Sequence, residues 1–356
     1  RLFVERIDIE GNTATLDRVV RRQFRIVEGD PFNAREVRAS ARRIRALGFF
    51  ADVSVTTREG SGPEKVIIEV NVVEKPTGSL NFGAAYSTAA GLGGTIEYGE
   101  KNFLGRGQSL NFKVNAGTGN QTYSFDFSEP SFLYQDLSLS LGAAYRETQQ
   151  QYSNYNTTAI QIRPQVSFPI SEQARMGIRY FYNATELSAI TTSSGSIVNL
   201  EQDLGRVNHS GVGFTLSYDT RRTGLDPNAG IFLRLGQDFS GLGGDARRIK
   251  TTGRLSGEMK VLGEEVTLVS TLEGGLLSYS RGQSRVTDRF LMGSNVLRGF
   301  NPAGIGPREY DLDAGVNDAL GGDKYAAMRL EALFPLGIPE EYGISGGIYY
   351  DIGNLW

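Results

Sequence analysis

The chain has no Cys, one His and one Trp among its 356 residues. Without Cys it has no disulfide framework and no thiolate zinc site. A single His leaves a His-rich metal centre or a Ser-His-Asp triad with one candidate base, His209, which sits at a strand start with no partner evident in the sequence. No run of 18 or more apolar residues occurs, so no transmembrane helix is available. Charge of either sign is not in excess: 37 basic against 40 acidic side chains give a net charge of -3, which excludes a strongly cationic nucleic-acid binder. The mean hydropathy of -0.27 is that of an ordinary soluble protein. A transmembrane β-barrel has the same signature, because its lipid-facing residues alternate with lumen-facing ones.

Glycine and the smaller aromatics are what the chain has in quantity. The 45 Gly residues are about twice the usual share. Tyr and Phe together supply 35 residues. The N-terminal stretch differs from the rest. Phe3 to Ile9 alternates as a strand does, and Gly11-Asn12 closes it. Thr15 is placed to cap a helix carrying Leu16, Val19, Val20 and Phe24. Asn33 is placed to cap a second, with Val37, Ala41, Ile44 and Leu47 on one face. Arg35, Arg38, Arg42, Arg43 and Arg45 lie on or near the opposite face. That face reads as solvated, or else as a docking surface for an acidic partner. Phe49 to Thr57 and Lys65 to Glu74 alternate again, giving the order strand, helix, helix, strand, strand.

From Thr77 onward the helical period vanishes. Leu80, Phe82, Ala84 and Tyr86 alternate with small and polar residues, and the same pattern recurs through Leu110–Ala116, Tyr123–Phe127, Leu137–Tyr145, Ile160–Phe168 and Val212–Tyr218. The runs are about 8 to 12 residues long, the length of a tilted membrane-crossing strand. Lys113, Asp126, Arg163, Arg179 and Arg234 on the polar sides suit a wet lumen better than a sandwich surface. Short connections (169–173, 226–230, 263–265) alternate with long ones (147–156, 188–208, 286–323), the two-sided pattern of an outer-membrane barrel. This predicts about 13 strands, an odd number where single-chain bacterial barrels have even ones. Together with a start at Arg1-Leu2-Phe3, it leads us to expect a piece of a longer precursor with its C-terminal strands missing.

The longest connection carries Leu297-Arg298-Gly299-Phe300. In the strand that follows, Ala326, Met328, Leu330, Ala332 and Phe334 are the apolar set, so Glu331 points inward. By the same parity Asp351 points inward from the next strand, opposite Ile348, Tyr350 and Ile352. Two carboxylates on neighbouring strands would then face one loop Arg if the loop folds in. Arg suits this task because its planar fork holds carboxylates in a bidentate way. If that pair is buried, breaking it costs about 3–5 kcal/mol. No nucleophile or leaving group is evident nearby, so the arrangement reads as a latch and not as a catalytic acid pair.

Several stretches, spread over nearly the whole chain, resemble the BamA family of bacterial outer-membrane barrel-assembly factors. They are Ile9-Glu10-Gly11-Asn12, Leu47-Gly48-Phe49-Phe50, Val73-Glu74-Lys75-Pro76, Asn102-Phe103-Leu104-Gly105-Arg106-Gly107 and Glu129-Pro130. Leu297-Arg298-Gly299-Phe300 is similar to that family's V-R-G-F/Y loop signature, with Leu in place of Val. The resemblance implies an α+β POTRA domain (β-α-α-β-β) at residues 1–76, followed by an antiparallel transmembrane β-barrel at 77–356. It implies that Arg298 pairs with Glu331 and Asp351 in the lumen. It also implies that the first strand, with Gly78, Leu80, Phe82, Ala84 and Tyr86, borders a lateral seam that templates new strands. The implied work is non-enzymatic: insertion of unfolded outer-membrane proteins into outer-membrane lipid, without nucleotide, metal or other cofactor. The implied partners are BamD and other lipoprotein subunits at a periplasmic POTRA domain, and no nucleic acid. A two-partner-secretion translocator or a TamA-like assembly factor shares the fold and is the alternative.

Overall fold

A computed structural model of the chain describes residues 1–87, 91–117, 120–149, 155–188, 194–221, 228–337 and 344–356. The expected turn at Asp226-Pro227, the tips of two long connections (150–154 and 189–193) and Gly343 lie outside the described residues.

The N-terminal domain runs β1 (Phe3–Glu10), α1 (Asp17–Arg21), α2 (Ala34–Ala46), β2 (Phe50–Glu59) and β3 (Lys65–Glu74). β3 is central, parallel to β1 and antiparallel to β2. The apolar face of α2, with Val37, Ala41 and Ile44, packs with Val19 and Val20 of α1 onto Val4, Ile7, Ile68 and Val70 of the sheet. Asn33 caps α2 as expected, its side chain accepting from Arg35 N at 3.0 Å and Glu36 N at 3.4 Å. The expectation for Thr15 fails. α1 has only 5 residues, Leu16 stands at its cap position, and no side chain caps it. Glu74 takes the backbone N–H groups of Ala14 and Thr15 and the Thr13 hydroxyl, and the Thr15 hydroxyl accepts from Asn102 Nδ2. The residues ahead of α1 are therefore bound by a distant strand end instead of by a local cap.

Thirteen strands follow in one sheet: β4 (Gly78–Ser87), β5 (Gly91–Phe103), β6 (Gln108–Gly117), β7 (Asn120–Glu129), β8 (Ser138–Gln149), β9 (Asn156–Pro169), β10 (Ala174–Ser188), β11 (Val207–Asp219), β12 (Ala229–Gly244), β13 (Arg247–Val261), β14 (Val266–Arg281), β17 (Lys324–Pro335) and β18 (Ser345–Leu355). A short helix, α3 (Ser196–Asp203), lies between β10 and β11, and a hairpin, β15 (Arg308–Asp311) with β16 (Val316–Ala319), lies between β14 and β17. Each strand of the sheet neighbours the next, from β4 at one edge to β18 at the other. The strands reach 16 residues in β12 and β14, longer than the alternation predicts.

The register sorts the side chains. Leu233, Leu255, Leu272, Met328 and Ile352 form one row across five strands, and Leu235, Leu255 and Leu272 are more than two-fifths exposed. The opposite face carries Arg254, Glu273 and Arg329, with Arg329 Nη2 3.2 Å from Glu273 Oε1. A sheet whose exposed face is apolar and whose other face is charged needs an apolar surrounding.

The chain divides into two compact units. One comprises Arg1–Phe82, Ile96–Lys113 and Asp126–Pro130, the other Gly83–Thr95, Val114–Phe125 and Ser131–Trp356. Within the first, the β5–β6 turn is bound to the segment before α1. Asn102 Nδ2 donates to Thr15 Oγ1 at 2.8 Å, Asn102 Oδ1 accepts from Gly107 N at 2.7 Å, and Leu16 N donates to Gly105 O at 2.8 Å. Gly105 has φ +68, and a Cβ there would lie 1.9 Å from Ala14 O, so no other residue fits.

Candidate functional site

The connection from residue 282 to 323 folds back on the polar face of β14, β17 and β18. Phe290 bridges to Gly322 and Met292 to Ile305, which gathers the base of the connection. The Phe290 ring lies against Gly275 of β14, where a Cβ would meet it at 2.5 Å, and stands 4.9 Å from the Tyr325 ring. Lys250 Nζ sits 4.5 Å from the Phe290 centroid. Met292 and Leu297 are buried with Ala327 and Leu355. Gly293 O accepts from both Val296 N and Leu297 N, making the tight turn that presents Arg298. A Cβ on Gly293 would lie 2.2 Å from Asn301 O, and Gly299 has φ +87. The glycines on either side of Leu297-Arg298 are thus required by geometry.

Arg298 meets both predicted carboxylates. Its Nε and Nη2 each stand 2.8 Å from an oxygen of Asp351, its Nη1 stands 2.8 Å from Glu331 Oε1, and its backbone N donates to Asp351 Oδ2 at 3.0 Å. β17 and β18 pair with Arg329 opposite Asp351 and Glu331 opposite Tyr349, which sets the acids one row apart on the same face. The hydrogen bonds from Arg298 to Asp351, and then to Glu331, raise the guanidinium above its ordinary range. The Arg298 side chain is 34% exposed and Asp351 only 4%. The site is an open Arg on a closed Asp, as a partly desolvated lumen implies, and the loss on breaking it is set more by stranding Asp351 than by burying Arg298. Phe300 is half exposed and does not join the cluster.

The guanidinium also lies 3.8 Å over the ring of Tyr349. Sequence reasoning passed over Tyr349, although its parity with Asp351, two residues on, places it on the same face. A second cluster was missed as well. His209 is fully buried and has partners, contrary to expectation. Its Nε2 lies 3.0 Å from Asp288 Oδ1, within ion-pair reach but out of line for a hydrogen bond. Arg248 Nη1 reaches the same oxygen at 2.6 Å, and Tyr279 OH donates to Oδ2 at 2.6 Å. Burial would raise the Asp288 carboxyl, but contacts from His209, Arg248 and Tyr279 outweigh it and hold it at about 2. Among the described residues no group of three or more His, Cys, Asp or Glu side chains is arranged to hold a metal.

α3 is bound at both ends by the long connection. Glu309 accepts from Ser196 N, Ser196 Oγ and Ile197 N at its N-terminus. Arg285 donates to the carbonyls of Glu201 and Gly205 at its C-terminus. Each charge complements the helix dipole at its end. The remaining predicted residues, Gly78, Leu80, Phe82, Ala84 and Tyr86, all lie on β4, an edge strand of the sheet. Phe82 and Tyr86 are about three-quarters exposed.

Residues 102–356 match the model of the Omp85 superfamily domain. The chain belongs to the Omp85 superfamily. Residues 2–75 match the POTRA model, described as a surface antigen variable number repeat. Outer membrane protein assembly factor BamA of Neorickettsia risticii (strain Illinois) is 27% identical over 354 residues, which cover 99% of this chain and 47% of that protein. The crystal structure of BamA from Haemophilus ducreyi lacking POTRA domains 1-3 superposes with a TM-score of 0.82 at 21% identity, covering all of this chain and 72% of that one. CdiB from Acinetobacter baumannii shares the fold at a TM-score of 0.62 and 14% identity, over 99% of this chain and 63% of that one. The chain spans about half the length of the curated BamA relatives that match it along their common region. As an Omp85 member with a POTRA module, it has the N-terminal domain and the antiparallel sheet in the order expected from sequence.

Proposed function

We propose that this chain serves in the folding and insertion of β-barrel proteins into the bacterial outer membrane, with residues 1–76 as a periplasmic POTRA domain and 77–356 as membrane-embedded barrel. The observation that carries the reading is β4. It is the first strand of the thirteen-stranded sheet, ten residues long with β5 as its neighbour, and it interleaves the small residues Gly78, Gly83, Ala84 and Ala85 with exposed Leu80, Phe82 and Tyr86. When such a strand parts from the strand that closes the barrel, its N–H and C=O groups lose their partners. In lipid these must be satisfied by another strand. An incoming barrel protein supplies one by β-augmentation, so pairing drives insertion and no nucleotide is needed. Gly78, Gly83 and Ala84 offer little side-chain packing to hold that seam shut. The Arg298 contacts with Glu331 and Asp351 then hold the long connection against the lumen wall while the seam works. Unfolded outer-membrane proteins are the substrates in this reading, and BamD with other lipoprotein subunits are the partners of the POTRA domain.

Depleting the protein in its own cell and quantifying the outer-membrane proteome tests the reading. A broad fall in unrelated barrels, with precursors building up in the periplasm, is the expected result. Loss of one secreted protein with porins intact would assign the chain to a dedicated translocator instead.

A further inference from the structure

The outer end of the β13–β14 pair carries two arginines in register. Arg247 of β13 pairs with Arg281 of β14 just beyond a register shift between Arg247 and Arg248. Both are exposed, and neither forms an ion pair or side-chain hydrogen bond among the described residues. Like charges directly across a ladder destabilise it, so the pair calls for a compensating anion. The Arg247 side chain lies along the sheet above Gly241, where a Cβ would meet its Cγ at 3.2 Å. Below it the apolar face continues through Ile249 of β13 and Phe239 of the neighbouring β12. It then opens into a groove of about 480 Å³ lined by Leu235, Gly253, Leu255, Leu272, Gly274 and Leu276. Gly253 and Gly274 face each other across the ladder and form its floor. From Arg247 to Gly253 the strand covers about 20 Å at roughly 3.4 Å per residue, the length of a fatty acyl chain.

We infer that the Arg247–Arg281 pair and the Gly253–Gly274 groove form one site for an anionic, phosphate-bearing lipid, whose headgroup sits between the arginines and whose acyl chain lies in the groove. The inference rests on the membrane reading above, in which this face meets lipid and this end of β13 and β14 meets the outer headgroups. Two observations of different kind coincide here: a cationic pair, and an apolar groove about one acyl length along the strand from it. A second groove, floored by Gly257 and Ser270, lies lower on the same face and farther from the arginines.

Native mass spectrometry of the purified full chain, released from detergent after incubation with dimyristoylphosphatidylglycerol, tests this. Dimyristoylphosphatidylcholine and inorganic phosphate are separate probes. The wild type is expected to retain phosphatidylglycerol over phosphatidylcholine. Arg247→Glu with Arg281→Glu should weaken retention about tenfold or more, since each surface cation contributes to anionic-lipid binding. Gly253→Val fills the groove with only an ordinary contact to Leu235, and should also weaken it. Gly257→Val adds the same bulk where nothing lies within 4 Å of the new Cβ, and should leave retention unchanged. Equal retention by wild type and the double charge variant overturns the inference. So does displacement of the lipid by inorganic phosphate at equal concentration, which would mean a bare anion site. Insertion into liposomes is scored in parallel. A wild-type chain that stays outside them overturns the membrane reading together with this site, whereas one that inserts but binds without headgroup preference overturns the site alone.

Discussion

Arg298 makes three side-chain contacts to two carboxylates, and Asp351 is far more enclosed than the Arg that satisfies it. Arg298→Ala leaves the Asp351 charge with the backbone N–H of residue 298 but without the guanidinium. The expected cost is about 1–3 kcal/mol, in the range for a hydrogen bond to a charged group and below that for a fully buried pair because the guanidinium is partly solvated. Arg298→Lys should recover part of it, since a point charge reaches one carboxylate but not both. Denaturant unfolding followed by the emission of Trp356 checks this, because Trp356 is paired through its backbone with Lys324 at the base of the connection. Glu74 gives a pH-dependent case at the same scale. Burial alone would raise its carboxyl, but hydrogen bonds from Thr15, Ala14 and Thr13 prevail and hold it at about 2. A folded-state value below the unfolded one, near 4.3, stabilises the fold above the unfolded value, and this gain is lost as pH falls toward about 2. The N-terminal domain should therefore lose stability between about pH 4.5 and 2, and Glu74→Gln should flatten that slope in thermal melts taken across the range.

The β5–β6 turn and the loop before α1 hold each other through Asn102, Thr15, Leu16 and Gly105. Gly105→Ala drives a Cβ into Ala14 O in a positive-φ backbone, and Asn102→Ala removes two hydrogen bonds at once. Either should speed amide exchange at residues 13–17 and 102–107 by tenfold or more, measured by hydrogen–deuterium exchange, while α2 keeps its protection. The contrast between α1 and α2 shows what was legible in the sequence. α2 could be read because Asn33, Val37, Ala41 and Ile44 are local signals at helical spacing. The cap of α1 could not, because the groups that bind its leading loop come from Glu74 and Asn102. The same division runs through the site. Glu331, Asp351 and the inward course of Arg298 followed from strand parity and the loop motif. Tyr349 followed from the same parity but lacked a chemical reason to be singled out. His209 and Asp288 meet across a loop whose path no periodicity records.

At the scale of the molecule, every neighbour pair in the thirteen-stranded sheet is consecutive in sequence except β14 with β17, which are joined through residues 282–323. That is why strand number and order could be read from alternation alone, and why the long connection had to be placed by its motif. The N-terminal sheet is built differently. β1 is parallel to β3 and pairs with it across the intervening α1, α2 and β2, with Phe3 opposite Lys65 and Glu10 opposite Asn71. β2 and β3 form a hairpin closed over residues 60–64. Loop closure favours near contacts, so the hairpin and α2 should assemble first and β1 should join last, after the longest search in the domain. Pulse-labelled refolding should find the amides of residues 66–72 that face β2 protected before those of residues 3–10. A polypeptide leaving a translocation channel N-terminus first thus delivers β1 well ahead of its partner, and β1 waits as a lone, sticky strand until some sixty more residues have followed it out.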